Sequence, residues 1–239
     1  MKHKIHDRQT CLHIAARKGN LCMVKLLAEQ SVVPFNVLVA QRHRKMTPLH
    51  TASEQGHLDV VKYLVERGAA INTRCGGGIS DLMYATKSGN LQTVKYLVER
   101  GADIHASDNV GWTALYYAAI EGCVPVVEYL LCQGADPDKL DLGRGTVLTR
   151  ALQKRELDVV WVLLEWGVDV NADEGEALSY AILWGKWFVV KALVEKGAAV
   201  KESLVWKSNL FDDSNYSAKT KKMNEFRKKF PSFKFAKEN

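Results

Sequence analysis

The side chains best equipped for catalysis or metal binding are seven histidines and five cysteines, and their spacing argues against both roles. Cys11, Cys22, Cys75, Cys123 and Cys132 are odd in number and never form a C-x-x-C pair. Neither a disulfide framework nor a structural zinc site is expected, and unpaired thiols suit a reducing compartment. His3 and His6 stand in a basic N-terminal stretch and are read as incidental, not as metal ligands. Gly76-Gly77-Gly78 is glycine-rich, yet no Lys-Ser/Thr follows to hold a phosphate, so it reads as a flexible hairpin. No nucleophile stands beside a base in any recognisable pattern. The expectation is a protein without enzymatic activity, cofactor, metal or small-molecule substrate.

Charge points elsewhere. Over residues 1–214, Lys and Arg balance Asp and Glu at 25 against 25, while residues 215–239 carry eight against two. The whole net charge of +6 therefore sits at the C-terminal end. Residues 217–230 have helical potential, with Met223, Phe226 and Phe230 on one face, and Pro231 stops the helix. Lys221, Lys222, Arg227, Lys228, Lys229, Phe226 and Phe230 form a candidate tail-binding set. It could serve as a nuclear import signal, lie on an anionic membrane, or enter a calmodulin-like groove. Nucleic acid is the least favoured partner, because residues 1–214 are neutral. No run approaches the roughly 20 apolar residues of a membrane-spanning helix, and MKHKIHDRQ lacks the apolar core of a secretory signal.

The elements that carry these residues recur. Markers at Thr10, Thr47, Ser80, Thr113, Thr146 and Glu176 are spaced 37, 33, 33, 33 and 30 residues apart. The first five copies start a helix on Thr or Ser, which can cap the first turn, and Pro48 sits where a missing N–H costs nothing. Alanine-rich runs (IAARKG, TASEQG, YAAIEG) follow, and Gly19, Gly56, Gly89, Gly122 and Gly185 end that helix. A second helix has apolar residues at helical spacing, such as Leu58, Val61, Leu64 and Val65. The departures are an insertion around residues 31–40, Ile79-Ser80-Asp81-Leu82-Met83 in the third copy, Arg155 in place of a glycine, and a shortened sixth copy without its cap.

Met46 to Asn72, MTPLHTASEQGHLDVVKYLVERGAAIN, resembles one ankyrin repeat nearly letter for letter, with Thr47-Pro48-Leu49-His50 as its signature. The resemblance covers roughly residues 7–200. It implies an all-α solenoid of about six repeats over residues 1–201, followed by a C-terminal capping helix and basic tail over residues 202–239. Leu204, Val205, Trp206, Leu210 and Phe211 are expected to cover the open end of the last repeat. The resemblance also implies that His13 and His50 tie loops together, and that the concave face binds one or more proteins. Counting from the markers, that face takes Arg44, Met46, Glu54 and Arg67, then Trp112, Ile120 and Glu121, then Trp166, Leu183 and Trp184. Trp187 falls at a core position, and Trp161 on the outer helix face. Asp169-Val170-Asn171 resembles the setting that asparaginyl hydroxylases modify, which makes Asn171 a candidate. The reading is a monomeric, cytoplasmic interaction scaffold or adaptor, with nuclear entry if the tail acts as an import signal. Its rival is a peripheral protein whose working part is the tail.

Overall fold

The computed structural model describes residues 11–30, 45–199 and 216–235. Thirteen helices run through them. They are α1 (Cys11–Arg17) and α2 (Leu21–Gln30), α3 (Pro48–Gln55) and α4 (Leu58–Glu66), α5 (Asp81–Lys87) and α6 (Leu91–Glu99), and α7 (Ala114–Ile120) and α8 (Val124–Cys132). After these come α9 (Val147–Lys154) and α10 (Leu157–Trp166), α11 (Glu176–Trp184) and α12 (Trp187–Glu195), and finally α13 (Tyr216–Lys229). The chain divides into two compact units, residues 1–135 and 136–239. The expected insertion at 31–40, Arg44 and the apolar run 204–211 lie outside the described residues.

In the first unit, α1, α3, α5 and α7 pack in series, and α2, α4, α6 and α8 do the same. Alanine makes the first row possible. Ala16, Ala52, Ala85 and Ala118 stand one per helix and are fully buried, so the helices approach closely at no side-chain entropy cost. Val24, Val61, Val94 and Val127 repeat the pattern in the second row, joined by Leu64, Leu97 and Leu130. Each fully buried leucine contributes roughly 1.5–3 kcal/mol relative to exposure.

Side chains stitch each helix pair to the next. Thr47 Oγ1 accepts from the His50 N–H at 3.1 Å, and His50 Nδ1 accepts from the Thr47 N–H at 3.1 Å. That leaves Nε2 to donate to the Thr73 carbonyl of the following loop at 3.0 Å. His13 makes the equivalent bond to the Met46 carbonyl. One turn on, His57 Nε2 donates back to the Arg17 carbonyl, and Asn90 Nδ2 to the Gly56 carbonyl. Gly56 ends α3 at φ 70°, and a Cβ there would stand 3.1 Å from Asn90 Cβ. Glycine therefore supplies both the left-handed turn and the room for the neighbour's side chain. The hairpin expected to flex at Gly76-Gly77-Gly78 is also tied, since the Asn109 N–H bonds the Gly77 carbonyl and Arg74 the Ser107 carbonyl.

In the second unit α9 packs on α10 and α11, and α11 on α12 and α13. The cap missing from the sixth copy is supplied from outside the motif. The Asp173 carboxylate accepts from the backbone N–H groups of Gly175 and Ala177 and from the Thr149 hydroxyl, and so holds the start of α11. Burial raises the Asp173 pKa above the ordinary carboxylate value, and these hydrogen bonds oppose the rise.

Candidate partner-binding surfaces

The expected binding residues come from the ends of the helices and from the hairpins, and the two units present them separately. In the first unit, Trp112 opens the turn before α7. Asp108 fixes that turn by accepting from the N–H groups of Val110 and Trp112 and from the Tyr117 hydroxyl at 2.7 Å. The Trp112 ring lies half-buried, stacked on Tyr116 at 6.2 Å with an edge contact to Tyr117 at 5.7 Å. One face of the indole is thus committed to its own repeat. Ile120 is half-buried and Glu121 exposed at the end of α7. Glu54 is half-buried on α3, and Arg67 is exposed with its guanidinium over the Tyr63 ring at 5.1 Å.

Met46 does not belong to this surface. It is 3% exposed and packs with Cys75 and Tyr84, with Ile79 against them. Its carbonyl is held by His13, and the apolar thioether fills the space between the hairpin and α5.

In the second unit Trp166, the last residue of α10, is 49% exposed. Trp184 ends α11 half-buried, with the Arg155 guanidinium 5.9 Å and the Lys186 ammonium 5.8 Å from its ring. Arg155 is the residue that replaces a glycine, and it keeps the glycine-like φ of 66°. That pairing of cations around an indole was not foreseen from the sequence, although the missing glycine was its one visible trace. Leu183 is 1% exposed, which corrects the expectation of a surface position. The reason is that α11 is packed by α13 as well as by α9 and α12, so more of its circumference is covered.

The tail departs from expectation in the same way. Met223 is buried and Phe226 is 0% exposed, so the apolar face of α13 points inward and Phe226 offers nothing to a partner. Phe230, half-buried, stacks on Phe226 at 5.1 Å, with Phe233 and Phe235 around the same ring. Lys221, Arg227, Lys228 and Lys229 are exposed, and Lys222 pairs with Glu225 at 3.5 Å. Trp187 is half-buried instead of enclosed, with Lys222 and Lys229 lying over its ring. Trp161 stacks on Phe188 at 6.1 Å.

Asn171 is exposed, and both ends of its amide are occupied. Nδ2 donates to the Gly197 carbonyl at 3.1 Å and Oδ1 accepts from the Ala199 N–H at 2.8 Å. Asn72 makes the matching pair with Gly101 and Asp103. These asparagines join successive hairpins. Among the described residues no group of three His, Cys, Asp or Glu side chains could hold a metal ion. No described helix is long and apolar enough to cross a membrane.

A sequence model of ankyrin repeats, in three copies, matches residues 1–75 and again 77–141, more than half of the chain. The chain belongs to the ankyrin-repeat family. Ankyrin repeats mediate protein–protein interaction and are typically non-enzymatic. The all-α stack with its repeating caps and glycines is the ankyrin architecture, and α9 to α13 lie beyond the matched residues. No curated protein matches the chain.

Proposed function

We propose that the chain is a scaffold or adaptor that holds a protein partner on side chains exposed at the ends of its helices and in the turns between them. The observation carrying this reading is Trp166, which leaves about half its surface in water at the end of a helix whose Val159, Val160, Leu163 and Leu164 are buried. Trp184 in its frame of cations, Trp112 above its tyrosines, and Ile120 beside Glu121 are the further anchors. Tryptophan dominates interface hot spots, where truncation typically costs about 2 kcal/mol or more. What favours the repeats over the tail as the working part is the inward aromatic face of α13, which leaves lysines and Arg227 outside but no amphipathic stripe. The same reading places the protein in the cytoplasm or nucleus, as a monomer that meets its partner there.

The test is affinity capture from cell extract with quantitative mass spectrometry. It compares wild type with Trp166→Ala/Trp184→Ala and with Lys221→Glu/Lys228→Glu. A partner lost with the tryptophans and kept with the lysine reversals, at an unchanged melting temperature, supports the scaffold. Loss that follows the lysines alone transfers the function to α13.

A further inference from the structure

A second surface lies where α12 meets α13. Trp187, Phe188 and Phe230 form an open groove of about 550 Å³ between the two helices, with Lys191, Lys229 and Glu195 at its edge. That volume falls in the range of small ligand-binding clefts, enough for one large side chain and the backbone that carries it. Phe188 is 48% exposed and stays in place by stacking on Trp161. Trp187 forms the wall beneath the ammonium groups of Lys222 at 5.8 Å and Lys229 at 5.6 Å.

The charge at the groove leans positive: Lys191 and Lys229 line it with Glu195, and Lys222 lies over its Trp187 wall. The segments that carry the two helices, residues 184–199 and 216–235, hold ten Lys and Arg against two Glu. Lys191 pairs with Glu195 at 3.7 Å, but both are well exposed, and such a pair is weak and exchanges readily. Lys229 forms no ion pair among the described residues. We infer that the α12–α13 groove is a docking site for an acidic peptide segment that carries a large apolar side chain. The aromatic walls take the side chain, and the surrounding cations take the flanking carboxylates. An anionic membrane fits less well, because the site is concave and Phe226 is turned inside.

The experiment pans the full-length protein against displayed random peptides and measures the binders by fluorescence anisotropy. The expected binders are acidic and contain a phenylalanine, tryptophan or leucine that cannot be replaced by alanine. Phe188→Ala, and separately Lys191→Glu/Lys229→Glu, each weaken them about tenfold or more. Glu128→Ala on the exposed side of α8, away from both proposed surfaces, leaves them unchanged. Thermal melts confirm that the variants are folded. The inference is overturned if no acidic class is enriched, or if Phe188→Ala binds the peptides as well as wild type. It is equally overturned if phosphatidylserine vesicles bind through Lys191 and Lys229 while peptides do not.

Discussion

Asp81 is the residue that the surrounding structure least accommodates. It occupies the position that Pro48 holds in the preceding repeat, at the first turn of a helix, and is fully buried. Neither carboxylate oxygen makes a well-formed hydrogen bond among the described residues; the backbone N–H groups of Asp81 itself and Asn72 only partly offset its burial, and His50 Nδ1 stands 3.6 Å away. Since Nδ1 already accepts from the Thr47 N–H, it has no proton to offer Asp81, and the imidazole stays neutral. Burial pushes the Asp81 pKa well up and the His50 pKa down to about 4. The signs differ. Between about pH 4 and 6.5 the folded His50 binds fewer protons than the unfolded, so its contribution to stability rises with pH. Folded Asp81 keeps its proton above the ordinary value of about 3.9, so its contribution falls as pH rises through that value and onward to the folded pKa. Asp81→Pro removes only the second effect. Ser80 already has the extended backbone that must precede a proline, so the variant is expected to be more stable by about 1–3 kcal/mol at neutral pH. Urea melts from pH 5 to 8 should show the advantage growing; a constant or negative difference would refute the argument. The structural role of His50 was legible from its Thr-Pro-Leu-His setting. The penalty at Asp81 was not, because the motif shows a departure without showing what faces it.

At the scale of elements, the lesson of α13 is that an apolar stripe has no direction in sequence. Met223, Phe226 and Phe230 were correctly placed on one helical face, and the pattern could equally serve a partner outside or a repeat inside. Packing of α13 on α11 decides for the inside. Lys222 reaches over Gly185, where an added Cβ would stand 2.5 Å from its Nζ, so the glycine that ends α11 also leaves room for that lysine side chain. Phe226→Ala is therefore expected to lower unfolding free energy by about 3–5 kcal/mol, as for other buried phenylalanines. Chemical denaturation with circular dichroism measures this. A variant as stable as wild type would mean that α13 does not hold α11. Similar reasoning explains Asp173: it precedes the sixth copy and lies outside the motif, so nothing in the motif pointed to it as the cap of α11.

For the molecule as a whole, the repeat period makes the architecture readable in the sequence, because each helix pair meets only its neighbours and the pattern must recur. What the period cannot convey is how strongly each joint is made. In the first unit the joint between α3–α4 and α5–α6 has the His50 and Asn90 bonds and the α3–α5 packing, together with the buried cost of Asp81. Along the outer helices, Lys25, Lys62 and Lys95 lie over Tyr63, Tyr96 and Tyr129 of the following pair, at 5.8, 5.7 and 5.5 Å. Every one of these links is nearest-neighbour, so damage should remain local and fade with distance. Leu64→Ala opens a cavity in the core of α4 at a cost of about 2–5 kcal/mol. Hydrogen exchange should then show the largest loss of protection in α3 and α4, a smaller loss in α1, α2, α5 and α6, and the least in α7 and α8. Equal loss across all eight helices would mean that the unit opens as one cooperative block. In that case the interfaces between pairs, and not the pairs themselves, would carry most of the stability.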